Sequence, residues 1–474
     1  MNKKNYKKRK KRLMLRQPVR QLMGAFLFMV EFLLFYDVWT RYYNAMVRWP
    51  FFYYGNIFIS AMYLIIIVMV SKVYAGTKIG YYRISDILMS QVIVVFLSNI
   101  VAYFILVTPL AYGWISAWPL VWLTMVDIGV IVIWALISHR IFLRIFPPQQ
   151  LVIVSEKQSD TLLDKFSRRP DQYIVRERIC LELTDDLEEN ERIAHKVVTR
   201  CEGYDGVIIG DIRAIIRNDI MKMCFAKGLR TYTMPKISDI ILRYSENLHI
   251  FDSPVLLNRN FGLTTGQAFF KRFLDLLCSG IGLVVLSPVM LITALAIKRE
   301  DGGPVFYKQV RCTIRNRKFE IIKFRSMVVN AEKDGVARLA EESDSRITKV
   351  GAFIRKVRID EIPQLINIFK GDMSMVGPRP ERPEIMTAYC QNMPEFAFRT
   401  KVKAGLTGFA QIYGKYNTTP FDKLKLDLMY IMNYSLIQDG LLILKTIKTV
   451  FTKEATEGVA AGQMTASDMD NENR

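Results

Sequence analysis

Four apolar segments open the chain: Leu22–Trp39, Phe51–Val70, Ile87–Val107 and Trp118–Ile137. Each is close to the ~20 residues that a helix needs to cross hydrocarbon. The polar stretches around them differ in charge. The first twenty residues hold ten Lys or Arg and no acid. The loop with Lys72, Lys78 and Arg83 is basic, as is the exit with Arg140 and Arg144, whereas Pro109–Ala117 carries no charge. Arg41 and Arg48, after the first segment, are a mild dissent. Basic loops stay cytoplasmic, so both ends of this bundle are expected in the cytoplasm. Acids interrupt the spans at Glu31, Asp37 and Asp127. An ionised group at mid-bilayer is costly, so Asp127 is expected to face other helices.

After Pro147-Pro148 the period changes. Leu151–Val154, Tyr173–Leu183 and Val207–Ile209 read as strands, with helices near Glu188–Arg200 and Arg213–Lys227. Strands alternating with helices predict a parallel, Rossmann-like sheet over 149–267. The first strand runs into Ser155-Glu156-Lys157-Gln158-Ser159, not a glycine-rich phosphate loop. A structural or regulatory domain without a cofactor is therefore expected. A fifth apolar segment, Phe273–Ile297, lies between Lys271-Arg272 and Lys298-Arg299, with Ser287-Pro288 near its middle. Basic flanks on both sides and a proline inside predict a helix–break–helix that enters and leaves one leaflet. A straight crossing would strand the rest of the chain away from the cytoplasmic pool of activated nucleotides. The expected fold is thus a membrane α-helical bundle, an α/β Rossmann-like domain and an α+β catalytic domain with a re-entrant membrane helix. Its boundaries are 1–20 for a basic arm, 21–146 for the bundle, 149–267 and 268–452 for the two domains. Residues 453–474 read as a disordered tail, where Asp468-Met469-Asp470 is a chance likeness to a metal motif.

Composition narrows the function. The net charge is +20, but the basic arm adjoins an apolar span, which points to anionic lipid headgroups rather than nucleic acid. The six cysteines form no C-x-x-C pair, so reduced cytoplasmic thiols are expected, without zinc or redox chemistry. The three histidines, His139, His195 and His249, lie far from the acidic pair described next. No cleavage site marks the N-terminus as a signal peptide.

The candidate chemistry lies in Ile359–Pro380. Asp360 and Glu361 precede apolar positions Ile362, Leu365, Ile366 and Phe369 at helical spacing, with Gly371 as a stop. Carboxylates at a helix start are favoured by its dipole, so Asp360 is expected to have a lowered pKa and to be ionised. An ionised carboxylate can attack phosphorus or ligate magnesium. A simple capping role is the competing reading. Cations crowd both sides: Arg346, Lys349, Arg355, Lys356 and Arg358 before, Arg379 and Arg382 after. Pro378 and Pro380 restrict the backbone around Arg379, which suits a guanidinium gripping phosphate. Upstream, Lys323 and Arg325 lie two apart in FEIIKFRSM and share one face of a strand, a further phosphate contact. Carboxylates, a divalent cation and arginines are the parts of phosphoryl transfer.

From about Phe269 to Phe451 the chain resembles the bacterial sugar transferase family, the monotopic polyprenyl-phosphate phosphoglycosyl transferases. The blocks that carry the likeness are Lys271-Arg272-Phe273-Leu274-Asp275, Ser287-Pro288, Gly303–Gln309, Lys323–Met327, Arg346–Gly351, Asp360–Leu365, Gly371–Ser374, Gly377–Pro380 and Gly405–Gly408. The N-terminal bundle with a degenerate Rossmann-like domain looks like the long subclass. The resemblance implies that a UDP-sugar gives its sugar-1-phosphate to undecaprenyl phosphate and releases UMP, with Mg2+ as cofactor. It implies a bacterial inner-membrane enzyme of exopolysaccharide, capsule or O-antigen assembly. Glucose-1-phosphate or galactose-1-phosphate is the expected cargo, with N-acetylhexosamine-1-phosphate as the alternative. Asp360 looks like the nucleophile of a covalent intermediate and Glu361 like its partner at the metal. Arg355 and Arg379 match phosphate-binding arginines, and Lys323 and Arg325 sit in the matching basic block. A homodimer through the first two domains is plausible. Three positions depart from the family pattern. Thr313 and Asn316 stand where glycines are common, and Asn316 can adopt the left-handed turn. Ala404 replaces a usual proline, which is expected to loosen its loop. Rival functions of other classes are a lipid-carrier transporter, which needs more than four spans, and a scaffold for polysaccharide assembly.

Overall fold

The computed structural model describes residues 12, 14–111, 114–156, 160–184, 186–250, 252–258, 262–329, 346–414 and 418–450. Most of the basic arm, residues 157–159 and residues 451–474, read above as a tail, lie outside the described residues. The chain divides into two compact units, Met1–Met234 and Pro235–Arg474.

The first unit begins with four apolar helices: α1 (Arg16–Val38), α2 (Tyr53–Tyr74), α3 (Ile84–Ala102) and α4 (Trp118–Ile145). All four are long and apolar enough to cross a membrane. Their outward faces are hydrophobic, as at Phe26, Ile65, Phe96 and Ile133. Aromatic residues Trp49, Phe52, Tyr53, Trp114 and Trp118 are exposed in and beside the loops 47–53 and 114–118, the amphipathic belt expected at a lipid–water boundary. Asp127 is 1% exposed and Glu31 wholly buried, so both acids face other helices. Beside them Tyr63 donates to Asn99 Oδ1 (2.9 Å), and Asn99 Nδ2 donates to Thr124 Oγ1 (2.8 Å).

The α/β part follows: β1 (Gln149–Ser155), β2 (Tyr173–Cys180), β3 (Gly206–Ile209) and β4 (Thr231–Thr233), all parallel in the order β2-β1-β3-β4. Helices α5 (Asp160–Ser167), α6 (Leu187–Cys201) and α7 (Ala214–Ala226) make the crossovers. β1 and β3 are almost wholly buried, as inner strands of a covered parallel sheet are.

The second unit starts with α8 (Ile237–Arg243) and a hairpin of β5 (Glu246–Ile250) and β6 (Ser253–Leu257). The 37-residue α9 (Thr265–Asp301) follows, with Pro288 inside it. No loop interrupts it: Ser287 and Pro288, where a break is expected, lie within one continuous helix. The physical reason is on the preceding residue. Proline lacks the N–H that would bond the Val284 carbonyl, and the Ser287 hydroxyl donates to that carbonyl instead, at 2.7 Å.

α9 is held to the rest of this unit at both ends. Lys271 bonds Asp439 (2.6 Å), Arg272 bonds the Ile368 and Phe369 carbonyls, and Glu300 accepts from the Lys349 and Val350 amides. One face of α9 is bare and apolar, as at Phe273, Ile281, Val284, Val285 and Ile292.

Around it stand the antiparallel pair β7 (Phe306–Cys312) and β8 (Lys318–Phe324), α10 (Lys349–Lys356) and α11 (Gln364–Lys370). The short parallel pair β9 (Ser374–Val376) and β10 (Gly405–Thr407) adjoins α12 (Pro383–Asn392), α13 (Pro420–Met432) and α14 (Leu436–Val450). Phe319, Ile321, Leu365, Ile368 and Met373 form the core beneath β8 and α11.

Candidate active site

Asn367 brings the two sides of the site together. It is 2% exposed on α11 and behaves like a strand neighbour. Its Nδ2 donates to the Glu320 carbonyl (2.7 Å), and its Oδ1 accepts from the Ile322 amide (2.9 Å). The acidic turn before α11 is thereby held against the end of β8. Asp360 and Glu361 lie in a 3₁₀ turn, Ile359–Glu361, and Pro363 rather than Asp360 is the N-cap of α11. Arg358 enters this turn in the left-handed conformation (φ 57°). The expected stop at Gly371 is found, with φ 97°.

Glu361 is enclosed by cations. Its Oε1 accepts from Lys323 Nζ (3.1 Å) and Arg379 Nη2 (2.7 Å), and its Oε2 lies 3.7 Å from Arg358 Nη1. Burial opposes its charge, yet Arg379, Lys323 and Arg358 hold its carboxyl well below the usual range. In return Glu361 raises the Arg379 guanidinium above its ordinary value. Burial lowers the Lys323 ammonium, and Glu361 partly offsets this.

Asp360 behaves oppositely. Burial, then the adjacent Glu361, push its carboxyl up to about 6, against Lys323, Arg355 and Arg379. The lowered value expected from a helix dipole is thus reversed, because Asp360 stands outside the helix and beside a second carboxylate. It remains mostly ionised at pH 7. Among the described residues no side chain hydrogen-bonds its carboxylate, and Arg355 has no ion-pair partner.

Of the residues named from sequence, Asp360, Glu361, Lys323, Arg355 and Arg379 come together. Arg325 does not. β8 ends at Phe324, and the Arg325 guanidinium is 7% exposed, paired to Asp301 and bonded to the Pro304 carbonyl (2.6 Å). The strand periodicity that placed it beside Lys323 does not extend to it. Arg358 acquires a larger role than a flanking charge, and its i,i+3 spacing to Glu361 was the available signal.

Two of the three divergent positions, Thr313 and Ala404, touch each other. Asn316 takes φ 59°, and Arg315 beside it takes φ 52°. Thr313 Oγ1 donates to the Asp372 carbonyl (3.0 Å) and accepts the Ala404 N–H (3.1 Å). A proline has no N–H to give, so Ala404 ties this loop rather than loosening it. The Gly377-Pro378-Arg379-Pro380 turn is fixed from the same side. Gly405 N donates to the Pro378 carbonyl (2.9 Å), and a Cβ on Gly405 would lie 2.0 Å from Gly377 N. Gly405→Ala is expected to lower stability by about 3 kcal/mol or more, since backbone must move. A thermal melt within a few degrees of wild type would contradict this.

A magnesium ion fits part of this donor set. Glu361 is engaged by three cations, whereas among the described residues Asp360 has no ion pair or side-chain hydrogen bond and is the carboxylate more open to a metal. Magnesium usually binds one or two carboxylates together with substrate phosphates, and the described residues contain no cluster of three or more metal-ligating side chains.

The chain matches the bacterial sugar transferase pattern over residues 266–453. It is 44% identical over 188 residues to a UDP-N-acetylgalactosamine-undecaprenyl-phosphate N-acetylgalactosaminephosphotransferase of Aeromonas hydrophila, covering 39% of this chain and 44% of that protein. It is 36% identical over 189 residues to a UDP-glucose:undecaprenyl-phosphate glucose-1-phosphate transferase of Caulobacter vibrioides, covering 39% of this chain and 70% of that protein. An uncharacterised sugar transferase of Bacillus subtilis is 37% identical over 200 residues, 42% of this chain and 96% of its own length. The chain thus covers less than half of the Aeromonas protein and of several other relatives, and the family pattern's span contains the carboxylate pair. With that region placed around Asp360, Glu361 and Arg379, the chain belongs to the bacterial sugar transferase family.

Proposed function

We propose that the second unit transfers a sugar-1-phosphate from a UDP-sugar to undecaprenyl phosphate, releasing UMP. One observation carries the reading: of two adjacent carboxylates, one is saturated by cations and the other is left free beside them. Glu361 organises Lys323, Arg358 and Arg379 into an anion-binding wall. Asp360 faces the same wall as a nucleophile. Its oxygen attacks the sugar-bearing phosphorus, the phosphoanhydride bond breaks, and UMP leaves with the bridging oxygen. An oxygen of undecaprenyl phosphate then attacks that phosphorus and frees Asp360. Arg379 and Arg355 grip the phosphates that change places. Asp360 would hold a magnesium ion, which would supply charge neutralisation on the diphosphate when bound. A covalent intermediate lets a water-soluble donor and a lipid acceptor arrive in turn. Relatives named for transfer of glucose, galactose and N-acetylgalactosamine phosphates make each of these a candidate cargo. Purified protein given a panel of labelled UDP-sugars should release UMP and acquire acid-labile label. Absence of both with every sugar would end the reading.

The same proposal places α9 as a re-entrant helix in the inner leaflet of the cytoplasmic membrane, with the site facing the cytoplasm. Two features support it: both ends of α9 pack on one polar unit, and the face between them is bare and apolar. Hydrocarbon is ~30 Å thick, so a helix crossing it could not return both ends to that unit. A proline ring crowds the carbonyl four residues earlier and bends a helix without interrupting it, so Pro288→Leu should favour a straight crossing. Cysteines placed after Ile297 should then react with impermeant reagents from outside the cell; continued protection would count against this placement.

A further inference from the structure

We infer that Arg399 is a positioning residue that sets Arg379 against Glu361 for donor binding; this rests on the function proposed above. Arg399 is 3% exposed in the 3₁₀ segment Pro394–Lys401 and stacks over the buried Phe396 ring at 4.7 Å. Each of its three nitrogens has a separate partner. Nε donates to Asp427 Oδ2 (2.6 Å), Nη1 to Glu381 Oε1 (3.4 Å) and Nη2 to the main-chain carbonyl of Arg379 (3.0 Å). Asp427 is 1% exposed, so the pair is an anchored unit rather than a surface contact. The last of these bonds is the informative one. It reaches the backbone of the very residue whose side chain holds Glu361 at 2.7 Å. A buried charge pair needs only one partner to be neutralised. The fork directed at the Arg379 carbonyl adds orientation instead, which a rigid five-donor guanidinium provides and a lysine cannot.

Arg399→Lys keeps the charge beside Asp427 and gives up the carbonyl contact. The expected result is a donor KM raised about tenfold with kcat changed less than threefold, since a misplaced phosphate grip weakens ground-state binding. UDP binding to the purified protein, which needs no turnover, should weaken about tenfold as well. In an Arg379→Ala background, Arg399→Lys should add nothing to either loss, because the residue acts through Arg379. A purely structural role gives the opposite pattern: fewer active molecules, hence lower kcat at unchanged KM and unchanged UDP affinity, with losses that add to Arg379→Ala. That pattern would overturn the inference. If Arg399→Lys does not fold, Asp427→Asn, which preserves shape and slackens the same arginine, should show the same split, and an unchanged KM and UDP affinity there would overturn it equally. A wild-type protein that binds UDP in this Arg399-dependent way yet releases no UMP would instead refute the functional reading alone.

Discussion

Asp360→Asn should reduce UMP release by about 10^4-fold or more, the scale of losing a covalent nucleophile, while the protein stays folded. The amide cannot form the bond to phosphorus. It is also not expected to destabilise the fold, and here the electrostatics are specific. The Asp360 carboxyl is pushed from its ordinary 3.8 to about 6, first by burial and then by Glu361. An acid whose value rises on folding binds more protons folded than unfolded between those limits. Stability from this group therefore falls as pH rises from 3.8 to about 6, and at pH 7 the ionised side chain is a net penalty. Removing the charge removes that penalty. Thermal melts at pH 7 should place Asp360→Asn at or above wild type; a large loss of stability would show that Asp360 is instead a structural acid. The carbon-13 shift of its carboxyl should titrate near 6 without divalent cation, and at lower pH with magnesium present, since a neighbouring cation favours the carboxylate. Identical curves would remove Asp360 from the metal site.

Glu361→Gln should behave in the reverse sense. Glu361 faces Lys323, Arg379 and Arg358 with its side chain 12% exposed. Removing its charge leaves those cations facing one another in a partly buried space. Breaking a buried pair by deleting one partner typically costs about 3–5 kcal/mol. A loss near the lower figure is expected here, since Arg379 is 40% exposed and solvent can relieve part of the repulsion. Activity should fall as well, because the proposed phosphate-binding wall loses its organiser. Circular-dichroism melts of the two variants side by side decide the matter. Equal stability of Asp360→Asn and Glu361→Gln would show that the carboxylates are not divided into a free one and a paired one.

Much of the organisation follows from period and composition. The four spans, the strands read at 151–154, 173–183 and 207–209 and the helices near 188–200 and 213–227 appear close to where the pattern puts them, though the second strand ends at Cys180 and the helix Asp160–Ser167 was not read. β4 escaped that reading because Thr231–Thr233 is too short to show a period. The site was legible as a neighbourhood: Asp360 and Glu361 amid arginines, with Lys323 brought in from forty residues upstream only by resemblance and by its strand. What could not be read was the division of labour. Arg325 looked equivalent to Lys323, but Asp301 captures it, a pairing across 24 residues that no local pattern announces.

Residue order alone settled which segments are apolar enough for a membrane, that the helix after the acidic pair stops at Gly371 and that a carboxylate pair lies among cations, because these depend on near neighbours and on chain chemistry. Only the folded molecule decided which carboxylate is neutralised and which is left strained by burial, that Ser287 covers for the amide absent at Pro288, and that Arg399 reaches the backbone of Arg379. Those outcomes depend on distances between groups far apart in the chain, and on how much water remains around each charge.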